Sequence, residues 1–490
     1  MNFTYSDENL LTIKTDILVL GMFKGDRFSG SVKNVNEALG DALKRLSKDD
    51  KFDGDLGKSV ALNSTLGKIG AKRVLLLGLG VRSKFSPEVV RKAGILTSKR
   101  FKAACAHMTF GPEFYGGRGF IAALAEGVML GAYEFDKYKT NNGPESEIEN
   151  VLLNSGNIKD RKFEEEIGLA KTLSQSACLV RDLVNEPPVY MTPSRLAEIA
   201  KAIAEEGNMN CEVFDFEEIK RRGMEGLVAV TSGSDEPPRF IHLTYEPRKK
   251  ADTALAVVGK GITFDSGGLC LKPADSMRTM KMDMAGAAVV LGIMQAVARL
   301  KPSVKVHGLI PSCENMTGPG AYKPDDIIRA YNGKTIEVIN TDAEGRIVLS
   351  DALSYAVHLK VDEIIDLATL TGACMVALGT FTAGVMGNNQ KLIDRIKKAA
   401  DRSGEKMWQL PMDDELRPEI KSDIADIKNA GSRWGGAITA AMFLESFVGD
   451  TNWAHIDIAG PAYNEKESTW YPKGGTGFGV RTLVSYIIDR

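Results

Sequence analysis

Asp342, Glu344 and Arg346 stand at alternate positions of the segment NTDAEGRIVLSD at 340–351. An alternating apolar run at 335–339 precedes them and predicts a strand, and an apolar repeat that predicts a helix follows. We therefore expect a tight turn at the carboxyl end of a strand, where open α/β sheets bind ligands. If the turn is extended, its alternate side chains face one space. Taken alone, the segment could equally be a solvated acidic turn that begins a helix.

A second set of charged side chains comes earlier in the chain. Lys260 and Asp265 lie in a glycine-rich segment after an apolar run, and Lys272 and Asp283 follow. With the two acidic residues of the first segment this makes four carboxylates, which cannot all stay ionised in one cleft without cations. Two divalent metal ions roughly 3.5–4 Å apart, bridged by carboxylates, would balance the charge. Each residue alone would be interpreted as a surface charge or a helix cap.

Lys260 has two possible roles in such a cluster. Beside divalent cations its pKa falls and it can act as a neutral nitrogen ligand; otherwise it stays charged and polarises a substrate carbonyl. Histidine ligands are not expected, because the chain has five histidines and none lies in these loops. Carboxylate ligands by themselves favour Mn or Mg over Zn. Ser266 and Cys270 have no histidine partner in an evident motif and are interpreted as turn and packing residues.

The residues before this cluster predict a small N-terminal α/β domain at 1–155, with an accessory or oligomerisation role. Apolar runs at 16–22 and 73–77 predict strands, whereas 35–46 and 87–101 predict helices.

Three further segments define the organisation of the chain. The sequence LGLG at 77–80 lacks the third glycine and the acidic residue of a dinucleotide loop, so a plain strand-to-helix turn is favoured. A polar segment at 140–149 predicts a surface connection. A helical pattern at 156–185 predicts a linking helix, which the prolines at 187 and 188 end.

Residues 186–490 predict a larger catalytic domain. Strand-like and helix-like segments alternate there, which predicts a central mixed, twisted sheet of about eight strands flanked by helices. The predicted strands are 211–216, 227–231, 240–245, 254–258, 305–310, 335–339, 363–368 and 453–458. The predicted helices lie near 284–299, 346–359, 389–402, 437–447 and 477–489. Glycine-rich loops are expected at 260–268, 372–384 and 474–479, where the backbone could approach a ligand closely.

Composition and charge are those of an ordinary soluble globular protein. The chain has 490 residues, 43% of them hydrophobic and 26% charged, which is too long for one compact core. A net charge of −2 does not indicate a surface that binds nucleic acid or an anionic membrane. Residues 1–150 carry 22 basic and 18 acidic side chains, and this mild excess leaves a basic patch open.

Cysteine usage and the N-terminus predict a cytoplasmic protein. The six cysteines are not closely paired, which is typical of reduced thiols. The first 16 residues lack the basic start and apolar stretch of a signal peptide. No stretch is expected to approach the ~20 apolar residues of a membrane span.

These residues resemble the leucyl aminopeptidase family, the dinuclear-metal cytosol aminopeptidases. The shared motifs are NTDAEGR at 340–346, VGKGITFDSGG at 258–268, KP at 272–273, MKMDM at 280–284, NEPP at 185–188, TLTG at 369–372, WAHIDIAG at 453–460 and TGFG at 476–479. The resemblance covers 180–490, and the first 150 residues agree with the family only in layout.

The resemblance implies a role for each metal ligand. Asp265 and Glu344 would bridge two divalent ions, Mn²⁺ or Zn²⁺, in each subunit. Lys260 and Asp283 would complete the tighter metal site, and Asp342 would complete the more readily exchanged one.

The resemblance also implies the catalytic and substrate-binding residues. Lys272 would polarise the scissile carbonyl or stabilise the tetrahedral intermediate. Arg346 would hold a bicarbonate that shuttles a proton. The walls of the pocket for the first side chain would be Met280, Thr369, Leu370, Gly372 and Ala459.

The implied function is release of N-terminal, preferably apolar residues from peptides with a free α-amine, by a hydroxide that two metals activate. The family assembles as homohexamers. A two-metal phosphoesterase is an alternative, although an apolar pocket does not suit it. A DNA-binding regulator is another, and it could coexist with the peptidase.

Overall fold

The computed structural model describes residues 1–140, 148–155, 160–249, 251 and 253–490. The chain divides into two compact units: unit 1 comprises 1–175 and 467–472, and unit 2 comprises 176–466 and 473–490. Most of the predicted surface connection at 140–149, and the start of the predicted linking helix, lie outside the described residues.

Unit 1 is an α/β layer structure. Its elements are β1 (Asn2–Ser6), β2 (Thr15–Phe23), α1 (Gly30–Ala38), α2 (Ala42–Asp49), β3 (Ser59–Leu62), β4 (Ala71–Gly80), α3 (Pro87–Phe101), β5 (His107–Phe110), α4 (Phe120–Ala132), β6 (Asn150–Asn154) and the first part of α5 (Asp160–Asn185). The strand order is β1-β6-β5-β2-β4-β3, and β3 alone is antiparallel to its neighbour.

Alternation along the strands gives the sheet of unit 1 two buried faces. Ile17 and Val19 pack with helices α3 and α4, whereas Leu18 and Leu20 pack with α1 and α2. Successive side chains of a strand point to opposite faces, so a nearly continuous apolar run is buried on both.

The helix predicted at 35–46 is broken in two. Gly40 and Asp41 have φ values of 63° and 62°, in the left-handed region, so α1 ends and α2 begins there. Asn36 Nδ2 donates to Asp41 Oδ1 at 2.6 Å and stabilises the break.

Unit 2 is built around a nine-stranded mixed sheet, and two small sheets, β12-β13-β17 and β19-β20, accompany it. The strands of the unit are β7 (Asn210–Phe214), β8 (Arg239–Tyr245), β9 (Ala254–Gly259), β10 (Gly261–Asp265), β11 (Lys305–Asn315), β12 (Ile327–Arg329), β13 (Thr335–Glu337), β14 (Glu363–Ala368), β15 (Thr382–Gly387), β16 (Lys406–Gln409), β17 (Ile427–Lys428), β18 (Asn452–Asp457), β19 (Tyr463–Asn464) and β20 (Gly474–Gly475). The main sheet runs β16-β15-β18-β14-β9-β11-β8-β7, with β10 paired to the end of β11. Strands β18, β14, β9 and β11 are parallel to one another, so their carboxyl ends share one edge.

Helices flank this sheet, which confirms the predicted α/β class. They are α6 (Pro193–Gly207), α7 (Phe216–Arg221), α8 (Glu225–Thr231), α9 (Ala274–Met277), α10 (Ala285–Leu300), α11 (Glu344–His358), α12 (Gly372–Leu378), α13 (Gln390–Ser403), α14 (Gly436–Glu445) and α15 (Val480–Ile488). A 3₁₀ helix at Met280–Met284 precedes α10.

Three sequence predictions in unit 2 differ from the structure in whole or in part. Residues 227–231 form part of helix α8 rather than a strand, because Asp351 Oδ2 accepts from Leu227 N at 2.9 Å and the helix packs on α11. The strand predicted at 335–339 stops at Glu337 and belongs to a small β12-β13-β17 sheet. The glycine-rich segments predicted as loops contain strands β10, β15 and β20.

One helical segment contradicts the expectation that no apolar stretch is long enough to span a membrane. Residues 280–300 meet that test by length and composition, but 78% of the window is buried inside the protein. The segment packs against β9, β11 and β14. Its apolar character therefore follows from burial on the sheet of unit 2.

Candidate metal centre

Lys260 lies at the carboxyl edge of the main sheet, directly after β9. Its side chain is only 3% exposed. Its Nζ lies 2.8 Å from Asp283 Oδ2 and 2.8 Å from Glu344 Oε1, and it donates to the carbonyl oxygen of Thr369 at 3.2 Å. One lysine thus joins two carboxylates that come from the 3₁₀ helix before α10 and from the first turn of α11.

Lys272 joins the other two carboxylates. Its Nζ lies 2.8 Å from Asp265 Oδ2 and 2.5 Å from Asp342 Oδ1. The second oxygen of Asp265 accepts hydrogen bonds from the backbone N–H of Gly267 and from Asn315 Nδ2, both at 2.8 Å. Asp265 is therefore held in place by donors on both of its oxygens.

Asp265, Asp342 and Glu344 form a compact oxygen cluster. One carboxylate oxygen of each lies within 4.8 Å of those of the other two. Glu344 Oε2 is buried and has no hydrogen-bond partner within the described residues. Oxygen donors crowded in this way suit a hard divalent cation.

The electrostatics of the cluster also favour a cation. Burial, together with the neighbouring Asp265, raises the pKa of Glu344, and burial raises the pKa of Asp283 and of Asp342. Burial would lower the pKa of Lys260, but the surrounding carboxylates outweigh burial and raise it above its ordinary value. A bound dication would reverse this balance by stabilising the carboxylates and favouring a neutral lysine.

Arg346 is the third residue of α11, two positions after Glu344, and is only 8% exposed. Its Nη1 donates to the carbonyl oxygen of Asn429 at 2.8 Å, and its buried Nε has no partner in the described part of the chain. Burial lowers the pKa of Arg346 to about 10. A buried guanidinium with a free N–H is a potential anion site.

The conformation of the 340–346 segment differs from the expected extended turn. Helix α11 begins at Glu344, so Glu344 and Arg346 lie in a helical turn rather than at alternate positions of a strand. Asp342 and Glu344 still meet at the oxygen cluster, whereas Arg346 is directed to Asn429.

Several positioning residues were missed by the sequence analysis. Asn429 Oδ1 accepts from the backbone N–H groups of Ile339 and Asn340 at 2.7 and 3.3 Å, which replaces strand pairing at this point. Asn315 Nδ2 also donates to the carbonyl oxygen of Thr341 at 3.0 Å. No local pattern in the sequence marks either Asn315 or Asn429.

Asp457, at the end of β18, links the segments predicted to form the substrate pocket. Its Oδ1 accepts from the backbone N–H groups of Leu370 at 3.3 Å and Ala459 at 3.0 Å, and its Oδ2 accepts from Thr371 Oγ1 at 2.7 Å. Thr369 Oγ1 donates to Asp283 Oδ1 at 2.7 Å. These bonds bring the loops after β14 and β18 next to the carboxylate cluster.

The two remaining predicted pocket residues lie on the adjoining elements. Met280 begins the 3₁₀ helix that carries Asp283 and is half-buried. Gly372 is the exposed first residue of α12, and a Cβ added there would meet no atom within 4 Å.

Gly345 permits the approach of Lys260 to the cluster. A Cβ at this position would lie 2.5 Å from Lys260 Cε and 2.7 Å from Lys260 Nζ. A larger residue at 345 would therefore displace the lysine that joins Asp283 to Glu344.

Comparison with known proteins assigns the family. The profile of the cytosol aminopeptidase family, catalytic domain, matches residues 178–484, and that of the family's N-terminal domain matches 19–142. A probable cytosol aminopeptidase of Aquifex aeolicus (strain VF5) is 48% identical, with 94% of each chain covered. One of Persephonella marina (strain DSM 14350 / EX-H1) is 45% identical, with both chains covered completely.

Solved structures agree with this assignment. A mutant of tomato leucine aminopeptidase is 35% identical, with a TM-score of 0.92 over 100% of this chain and 97% of that one. The bottromycin maturation enzyme BotP in complex with Mn is 33% identical, with a TM-score of 0.85 over 97% of this chain and 99% of that one. The chain thus belongs to the cytosol aminopeptidase family and is a metal-dependent aminopeptidase, a peptidase hydrolase.

Proposed function

We propose that the chain removes apolar N-terminal residues from peptides at a site that holds two divalent metal ions. One observation carries this proposal: four carboxylates and two lysines converge at one sheet edge, where a buried Glu344 oxygen has no hydrogen-bond partner among the described residues. Four carboxylates against two lysines leave an excess of two negative charges, which divalent cations would neutralise.

The ligand assignment follows the two lysine-centred pairs. Asp265 and Glu344, at the centre of the cluster, would bridge the ions. Lys260 and Asp283 would complete one site, and Asp342 would complete the other. When bound, such ions lower the pKa of water and polarise a carbonyl, which is the chemistry that amide hydrolysis requires. Mn²⁺ or Zn²⁺ is proposed, and the Mn complex of BotP supports the first.

Lys272 would stabilise charge on the reacting carbonyl. It lies between Asp265 and Asp342, so its ammonium faces the cluster, and those carboxylates outweigh burial and raise its pKa. It would therefore remain charged near neutral pH and donate a hydrogen bond to the oxygen on which negative charge develops.

Arg346 would hold a small anion beside the reacting atoms. Its unpartnered Nε supplies a donor, and bicarbonate is the anion that we propose. This anion would accept a proton from the attacking water and pass it to the nitrogen of the leaving amine. Activity in CO₂-free buffer should rise on addition of bicarbonate, and an Arg346→Ala enzyme that responds equally would contradict this role.

The pocket for the first side chain would lie beside the cluster. Its proposed walls are Met280, Thr369, Leu370, Gly372 and Ala459. Two observations support this placement: the bond of Thr369 to Asp283, and the shared acceptor Asp457 of the Leu370 and Ala459 amides. The open space at Gly372 leaves room for a leucine-like side chain.

The test is hydrolysis of leucine p-nitroanilide by protein that is stripped with a chelator and reloaded with Mn²⁺ or Zn²⁺. We expect activity to return with metal, and to be absent with N-acetyl-leucine p-nitroanilide, because the blocked amine cannot bind. An aryl phosphate in the same assay tests the alternative of a two-metal phosphoesterase. Cleavage of the acetylated substrate, or of the phosphate alone, would contradict the proposal.

The cellular setting is proposed from the relatives. Their name, cytosol aminopeptidase, supports a cytoplasmic enzyme, which cell fractionation can test.

Residues 1–155 are proposed as an accessory or oligomerisation domain, 156–185 as a linking helix and 186–490 as the catalytic domain. A secondary nucleic-acid-binding role stays a prediction, which a salt-dependent mobility shift would test.

A further inference from the structure

In the sheet of unit 1, the direction in which successive strands are added reverses beside β2. From β2 the chain passes through α1, α2 and the edge strand β3 to β4 on one side, and from β4 it passes through α3 to β5 on the other side of β2. The helices after β2 and β4 cover opposite faces. In open α/β sheets, the crevice at the carboxyl ends of such strands is where ligands bind.

A cavity of about 340 Å³ lies at this position. It is lined by segments that follow the carboxyl ends of all three strands: 26–32 after β2, Arg82 after β4, and 112–115 after β5. A volume of this size accommodates a small metabolite. All residues that line the cavity belong to unit 1, whereas those of the carboxylate cluster belong to unit 2.

Glu113 supplies a carboxyl group to the lining of this cavity. Its Oε1 accepts a hydrogen bond from Ser31 Oγ, whereas its Oε2 is buried and has no partner in the described residues. Oε2 lies against Gly111, where a Cβ would come within 2.5 Å of it. Because the carboxyl group of Glu113 lines the cavity, a ligand N–H group there would face a hydrogen-bond acceptor.

Donors face the same space. Helix α1 begins at Gly30, and no side chain caps its first turn, so its leading backbone N–H groups remain available. The contact between Ser31 and Glu113 places these donors next to the carboxyl group. Arg27 also lines the cavity, is exposed, and makes no ion pair among the described residues.

The charge balance selects the kind of ligand. Arg82 is neutralised by Asp26 at 2.5 Å and stacks over the Phe23 ring at 4.1 Å. Arg27 is then balanced by Glu113 when that carboxyl is ionised. A lining without large net charge does not suit a polyphosphate. Adjacent hydrogen-bond donors and an acceptor instead suit a ligand that carries one positive and one negative charge.

We propose that this cavity, the switch-point cavity, binds a free apolar α-amino acid. Its ammonium group would donate to Glu113. Its carboxylate would accept from the first turn of α1 and from Arg27, and its side chain would lie against Phe85 and Tyr115. Through this site the enzyme would respond to the class of product that it releases. This regulatory role rests on the proposed function, whereas the binding of an amino acid to the cavity does not.

The test counts binding sites for radiolabelled L-leucine on the full-length, metal-loaded protein by equilibrium dialysis. We expect two sites per chain, one at the catalytic centre and one at the switch-point cavity. Glu113→Gln and Arg27→Ala should each weaken one site at least tenfold and leave the other unchanged. Arg45→Ala, an exposed arginine on α2 away from the cavity, is the matched control and should retain both sites.

Each contrary result has a distinct meaning. Unchanged leucine binding in the exposed-residue variant Arg27→Ala, together with unchanged binding in Glu113→Gln, would overturn the proposal. Displacement by inorganic phosphate as effective as by leucine would overturn the amino-acid assignment. Leucine amide and N-acetyl-leucine each lack one charge and should not compete at this site. If the catalytic proposal fails, one site still remains, and it is the one that Arg27→Ala weakens.

Discussion

Lys272 makes the clearest prediction at the scale of single residues. Because its ammonium would stabilise the developing oxyanion, Lys272→Ala should lower kcat by about 10²–10³-fold. Metal content per chain should stay the same, because Lys272 is not a proposed ligand. Steady-state kinetics and elemental analysis of the same preparation measure both quantities.

The control for this prediction is Lys323→Ala. Lys323 is an exposed lysine that pairs with Asp326 at 2.9 Å on the surface of unit 2. It should keep full activity. Near-normal turnover of Lys272→Ala would remove Lys272 from the mechanism, and loss of metal in that variant would instead assign it a role in assembling the site.

The residues of the cluster could be predicted from the sequence, because their acidic side chains and lysines stand next to glycines at the ends of apolar runs. Lys260, Asp265 and Glu344 do converge in the structure. Asn429 could not be predicted, because its partners at 339 and 340 are about ninety residues away and no local pattern identifies them.

Gly345 leads to a prediction at the scale of elements, because it sets how closely α11 approaches the end of β9. Gly345→Ala should push Lys260 out of the cluster and weaken metal binding by about 10–100-fold. Gly168→Ala is the matched control, since it also places alanine in a helix but with no atom within 4 Å of the new Cβ. Titrating each variant with metal while activity is measured gives the metal affinity of both. Equal affinities in the two variants would contradict the steric argument.

The pairing of β8 with β11 predicts acid sensitivity. His242 Nε2 lies 2.9 Å from His307 Nδ1, and burial lowers their pKa values to about 4 and about 3. Both are therefore neutral in the folded protein, whereas they titrate near 6.5 when unfolded. Their stabilising contribution is present above about pH 6.5 and is lost as the pH falls toward 4, by up to about 1.4 kcal/mol per pH unit for each histidine.

The measurement is the melting temperature of unit 2 at about pH 7.5 and about pH 5, with chelator throughout so that metal loss does not contribute. The His242→Leu/His307→Leu double variant should lose less on acidification than the parent protein. An equal decrease in both proteins would show that the two histidines do not carry the pH dependence.

Element prediction succeeded where local pattern and packing agree. Helix 87–101 and strand 363–368 have the predicted bounds. Residues 227–231 have the β-branched composition of a strand, but a cap from Asp351 and packing on α11 make them helical. Tertiary contacts of this kind override intrinsic propensity and leave no local signal.

At the scale of the whole molecule, the family resemblance predicts a homohexamer. Several large apolar side chains are exposed on the single chain, among them Val376 at 90%, Val189 at 74% and Trp434 at 68%. Light scattering after size-exclusion chromatography should give a mass about six times 53.1 kDa. A stable monomer with full activity would contradict this assembly.

The central claim is that two metal ions per chain are needed for hydrolysis. Chelator-treated protein should be titrated with Mn²⁺ while bound metal and leucine p-nitroanilide hydrolysis are measured on the same samples. We predict that activity reaches its maximum at two bound ions per chain and that Asp342→Asn binds one ion with little activity. Full activity at one ion per chain, or with no metal bound, would contradict the account.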